Sequence, residues 1–142
     1  MDLVKQMNVV LANTYALYLK TQKYHWNVKG VHFASLHLFF EGQYDELAES
    51  VDAIAEHIRM LGFDAQGSFN EFQALNKITD GNAHMDAAGM IGDLLDSHNI
   101  VVNILTTTLE LAQKIGDEVI ADFMIQRLAA HRKQQWMLRS LQ

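Results

Sequence analysis

The chain has 142 residues, 49% hydrophobic and 20% charged, with seven histidines and neither cysteine nor proline. That length suits a single domain, residues 1–142, with one core; the missing thiols exclude a disulfide framework, a thiolate metal site and a cysteine nucleophile. A net charge of −6 argues against a nucleic-acid surface, no stretch reaches the roughly 20 apolar residues of a membrane span, and no basic-then-apolar signal opens the chain, so a cytoplasmic location is expected.

Without proline, nothing interrupts long helices, and turn-rich sheet architectures lose a usual turn residue. Residues 3–24 carry Leu3, Val4, Met7, Val10, Leu11, Tyr15 and Tyr18 at helical spacing, and Gly30 suits the left-handed stop that follows. A second helix is predicted from about Phe33 to Leu61, striped by Leu36, Phe40, Tyr44, Leu47, Val51, Ile54 and Ile58 and stopped by Gly62. Residues 63–85 are rich in Gly, Asn, Asp and Ser and read as a long connection with one short helix near Phe69–Asn76. A third helix is expected from about Asp86 to Ile115, broken by Gly116, and a fourth from Asp117 onward. The fold class is all-α, a four-helix bundle whose long crossover carries the short helix.

Four residues carry metal-binding chemistry. His25 and His37 lie equally far from the centre of the first loop, so an antiparallel hairpin sets them side by side. Asp52 and Glu56 follow at i, i+4 on the second helix, on one side of it with His37. Two imidazoles with two carboxylates suit iron better than calcium or a structural zinc. Yet His37 and Asp52 are separated by about 22 Å at 1.5 Å per residue, and metal–ligand bonds are only roughly 2.0–2.2 Å long. A second copy of the helix, antiparallel about a two-fold axis near residue 45, would bring Asp52 and Glu56 of one subunit to His25 and His37 of another. An isologous dimer forms that contact twice.

The blocks Tyr24-His25-Trp26-Asn27-Val28-Lys29-Gly30, Phe33-x-x-Leu36-His37-x-x-Phe40-Glu41 and Asp52-x-Ile54-Ala55-Glu56 closely resemble the signature of the Dps family, the miniferritins of the ferritin-like superfamily. Leu61-Gly62, Gly67-Ser68-Phe69, Gly116-Asp117-Glu118, Ala121-Asp122 and Trp136-Met137-Leu138-Arg139 extend the likeness over nearly the whole chain. No acidic residue has a histidine three positions later, so the Glu-x-x-His motifs of di-iron centres within one bundle are missing.

The resemblance implies a ferritin-like bundle assembled into a hollow homododecamer of cubic 23 symmetry. It implies a ferroxidase that oxidises Fe²⁺, typically with hydrogen peroxide, and stores ferric mineral, protecting DNA from oxidative damage. By motif, His25 and His37 of one subunit and Asp52 and Glu56 of another hold one or two irons per centre, with zinc as a substitute. Glu41 falls where the family often has an acid that supports a second metal or an ordered water. Trp26 matches a tryptophan thought to take up stray oxidising equivalents; the plainer reading is a packing aromatic at a helix end. Asp117, Glu118 and Asp122 match acids lining an iron-entry pore, although Asp117 and Glu118 equally suit a helix N-terminus.

The alternative is a nucleoid-compacting DNA-binding protein. Family members that bind DNA commonly use Lys/Arg-rich tails and salt-sensitive phosphate contacts. Here Lys5 is the sole base among the first ten residues and Arg139 the only one after Trp136, so direct DNA binding is not expected. Arg127, Arg132, Lys133 and Arg139 give the last helix a modest basic character. His32, His57 and His84 are expected to be solvated, and His98 and His131 to be core or interface histidines.

Overall fold

A computed structural model describes residues 1–142 as five helices without strands: α1 (Asp2–Asn27), α2 (Phe33–Met60), the short α3 (Phe69–Leu75), α4 (Ala87–Ile115) and α5 (Glu118–Ser140). Four long helices form the bundle, and α3 sits in the crossover between α2 and α4. No helix is long and apolar enough to cross a membrane.

Each boundary has a local cause. The chain turns between α1 and α2 through Gly30, at φ +113°, and leaves α2 through Gly62, at φ +92°; left-handed backbone of this kind strains any residue with a Cβ. Gly116, at φ +77°, ends α4 in the same way. Three polar side chains start the next helices by accepting an otherwise unpaired backbone N–H: Ser68 for α3, Asp86 for α4 and Asp117 for α5. At α3, Glu71 also reaches back to the Gly67 N–H at 3.1 Å, close to a reciprocal capping box.

The core follows the helical period. On α2 the buried positions are Leu36, Phe40, Gln43, Leu47, Ser50, Ile54 and Ile58, one stripe of a 28-residue helix that passes unbroken through Gly42. Helix α2 runs antiparallel to α1, where His25 meets His37, and antiparallel to α5, where Gln43 bonds Gln134 and Glu46 bonds Arg127. It is therefore parallel to α4, and the chain must travel the length of the bundle to connect them.

Polar residues of α1 hold that strap. Asn13 donates to the Leu75 carbonyl and accepts from the Lys77 N–H at 3.1 and 2.8 Å, and Asn8 accepts from the Gln66 N–H. Lys23 donates to the Gly81 carbonyl. Lys20 is 3% exposed, with its ammonium satisfied by Asp93, Ser97 and Thr79. The Tyr24 hydroxyl donates to Asp93 and accepts from the Asn82 N–H. Burial, and then the bond to Asp93, pushes the Tyr24 pKa up to about 12.

Candidate metal centre

The end of α1 and the start of α2 put two imidazoles in contact. The His25 and His37 rings stack with centroids 3.7 Å apart and planes 15° from parallel. Each Nδ1 bonds the other residue's backbone carbonyl, at 2.6 and 2.7 Å. A carbonyl only accepts, so each Nδ1 carries a proton, and Nε2 is the nitrogen whose lone pair the neutral ring would offer to a metal. An N–H held by a backbone carbonyl is the usual support behind a metal-ligating histidine. The contact is economical as well: the His25 carbonyl lies in the last turn of α1, where no following helical N–H claims it. Phe33 continues the stack over His37 at 5.1 Å, and Tyr44 stands edge-on to His25 at 5.1 Å.

Asp52 and Glu56 are exposed on α2 and enter no ion pair; the chain's three pairs are Lys20–Asp93, Arg59–Asp64 and Arg127–Glu46. With Leu38, Gly42, Asp45, Glu49 and Met60 they occupy one exposed stripe of the helix. Within one chain no three histidine, aspartate or glutamate side chains converge on a point that could hold a metal. The structure thus brings the two histidines together and leaves the two carboxylates apart from them, about 22 Å along the same helix.

The other candidates are placed as follows. Glu41 is half-buried one turn after His37. Trp26 is 60% exposed and stacks on neither imidazole; it lines a groove of about 920 Å³ between α1 and the crossover, which contains none of the four candidate ligands. Asp117 caps α5 through the Ile120 N–H at 3.0 Å, and Asp122 is exposed, accepting from Gln126 at 2.8 Å. Asp117 thus has a structural task in any case.

The bundle interior contains a polar cluster that sequence periodicity did not assemble. Arg127 is 6% exposed and makes a two-pronged pair with Glu46. It also contacts His131 Nε2 at 3.3 Å, while His131 and His98 share a 2.9 Å bond between their Nδ1 atoms. Burial raises the Glu46 carboxyl, but Arg127 outweighs it and the net shift is downward. Burial also pushes His98 down to about 4 and His131 well below its usual value. The basic character of α5 is correspondingly smaller, since Arg127 points into the core. Glu46 likewise leaves the acidic face of α2, and His57 is packed rather than solvated, stacked 4.0 Å from Phe123. In the sequence, the apolar helix faces of His98 and His131 and the i, i+4 step from Arg127 to His131 hint at this cluster, but not at Glu46.

A family model of the ferritin-like domain matches residues 4–142. A DNA protection during starvation protein of Porphyromonas gingivalis is 32% identical, over 95% of this chain and 85% of its own. The chain belongs to the Dps miniferritin family. The Dps protein of Vibrio cholerae O1, described as one of the ferritin-like diiron-carboxylate proteins, superposes with a TM-score of 0.95 at 31% identity, over 99% of this chain and 88% of that one. A low-temperature-induced protein of Nostoc is 35% identical over 96% of this chain and 78% of its own length. These likenesses establish the family and the all-α ferritin-like fold along the whole bundle.

Proposed function

We propose that this miniferritin oxidises Fe²⁺ with hydrogen peroxide at centres shared between two subunits and stores the ferric product inside a hollow dodecamer. The observation that carries the reading is the split ligand set: two oriented imidazoles at one end of α2 and two unpaired carboxylates at the other. A two-fold partner packed along the exposed stripe would join His25 and His37 of one subunit to Asp52 and Glu56 of the next. Leu38 and Met60, 63% and 68% exposed on that stripe, give such a partner apolar surface to cover.

The donor set fits the substrate. Two neutral imidazoles and two carboxylates bind Fe²⁺ and leave coordination positions for an oxidant. The carboxylate charge favours Fe³⁺ as it forms, and Glu41 is near enough in sequence to hold a second ion. Asp117, Glu118 and Asp122 would draw Fe²⁺ toward an entry pore by concentrating negative charge there. Trp26 remains a candidate sink for stray oxidising equivalents. Removing Fe²⁺ together with peroxide would protect DNA chemically. Direct DNA binding has less support, because Arg127 is tied to Glu46 inside the bundle.

Stopped-flow mixing of Fe²⁺-loaded protein with peroxide tests the assignment. The double variant His25→Ala, His37→Ala should assemble normally by native mass and lose rapid Fe²⁺ oxidation, by roughly a hundredfold or more given the loss of two ligands. A wild-type rate in that variant would refute it.

A further inference from the structure

A row of aromatic rings leads away from the two imidazoles. Tyr44 meets His25 at 5.1 Å, Tyr18 meets Tyr44 at 5.9 Å, Tyr15 meets Tyr18 at 5.7 Å, and Phe72 of α3 closes the row against Tyr15 at 5.0 Å. All four separations lie within the range of roughly 4.5–7 Å for aromatic pairs in direct contact. The register explains the row. Tyr18 lies seven residues before His25 and Tyr44 seven after His37, so the hairpin that stacks the imidazoles also opposes the tyrosines. Tyr15 follows one helical turn earlier on the same face of α1.

Each ring packs as phenylalanine would, and its phenol adds a group that can be oxidised. All three tyrosines are partly exposed, so a phenol proton has a path to water. Reducing one hydrogen peroxide to water takes two electrons, and one Fe²⁺ supplies one.

We propose that Tyr44, Tyr18 and Tyr15 form an electron relay that supplies the second electron when a centre holds a single Fe²⁺. The inference rests on the iron-oxidation reading above. In the step, Fe²⁺ and the Tyr44 phenol each lose one electron and the peroxide O–O bond breaks. The phenol proton and one proton from solvent complete two waters, leaving Fe³⁺ and a neutral tyrosyl radical. The radical moves to Tyr18 and Tyr15 as each phenol gives an electron and a proton and its neighbour regains them. A later Fe²⁺ at the centre refills the relay: it becomes Fe³⁺, while the radical takes its electron and a proton from solvent.

The far end of the row gives the relay a direction. Tyr15 and Phe72 line a cavity of about 400 Å³ with Val51 and Ala55, the residues immediately before Asp52 and Glu56. In a two-fold dimer the row therefore leads from the histidine half of one centre toward the carboxylate half of the other.

The test loads the assembled protein with one Fe²⁺ per centre, adds one equivalent of hydrogen peroxide, and freeze-quenches samples for electron paramagnetic resonance. Wild type should show a radical whose spectrum narrows when the protein is grown on ring-deuterated tyrosine. Tyr44→Phe, which keeps the ring and its packing, should lower that signal at least tenfold and raise spin-trapped hydroxyl radical severalfold. Fe²⁺ oxidation in wild type without a tyrosyl signal, or an undiminished signal in Tyr44→Phe, overturns the relay and leaves the iron-oxidation reading standing. Wild type that neither binds nor oxidises Fe²⁺ overturns both. The isotope arm needs no mutant, so it decides the matter even if the variant fails to assemble.

Discussion

His25 and His37 each lend the other a carbonyl, and that exchange selects the Nδ1–H tautomer of both rings before any metal arrives. The opposite case is the His98–His131 pair, where rings are kept neutral by burial and no carboxylate touches them directly. Arg127 donates toward His131 Nε2, so His131 carries its proton on Nδ1 and gives it to His98 Nδ1. His98 must then hold its own proton on Nε2, which is buried without a partner. Neither ring can gain a proton without placing a charge beside the Arg127 guanidinium. In the unfolded chain both titrate near 6.5, so the unfolded state binds more protons below that value. The stability they contribute is full above about pH 6.5 and is lost as pH falls toward 4, the value to which burial brings His98. For His98 we expect a drop on the order of 2 kcal/mol between about pH 6.5 and pH 5, with His131 adding a loss in the same direction. Urea midpoints across that range should fall less steeply for His98→Asn than for wild type. Parallel slopes would mean the pair is not held neutral. Both histidines were readable as core residues from their helix faces. Glu46, the carboxylate that pairs with Arg127 in the same cluster, was not, because it sits in an acidic run and meets Arg127 across 81 positions of sequence.

Among the elements, the long helices follow directly from apolar period and glycine stops, and the short α3 is an interlude in a connection rich in Gly, Asn, Asp and Ser. The crossover path was not legible. Asn8, Asn13, Lys20 and Lys23 look like ordinary polar interruptions of an apolar stripe until the strap that needs them is in place. Their partners are largely backbone groups, which carry no residue identity for a sequence to display. Asn13 is fully buried and serves both Leu75 and Lys77. Asn13→Ala should cost about 2 kcal/mol, because two backbone groups lose their partner. Hydrogen exchange should quicken in residues 66–82 more than in α2. Uniform loss of protection would instead indicate that the strap and bundle unfold as one unit.

At the scale of the whole molecule, the four candidate ligands could be named from sequence because their spacing combines a helical hairpin with an impossible distance. The single chain keeps that distance: the imidazoles meet and the carboxylates remain outside. What one chain leaves incomplete, a symmetric pair would complete twice. The tyrosine row matters at this scale too, since it runs along the seam that separates the two halves of the ligand set. It was hidden in the sequence because Tyr15, Tyr18 and Tyr44 also serve as members of apolar stripes, and only the hairpin register makes them neighbours.

The most direct measurement of the shared-centre claim is complementation between inactive subunits. His37→Ala and Asp52→Ala proteins are separately disassembled, mixed in equal amounts and reassembled, and mixed shells are verified by native mass spectrometry. In each mixed dimer one centre would carry both defects and the other none, so random mixing predicts peroxide-driven Fe²⁺ oxidation at roughly a quarter of wild-type centres. Verified mixed shells as inactive as either parent would contradict a centre built from two subunits.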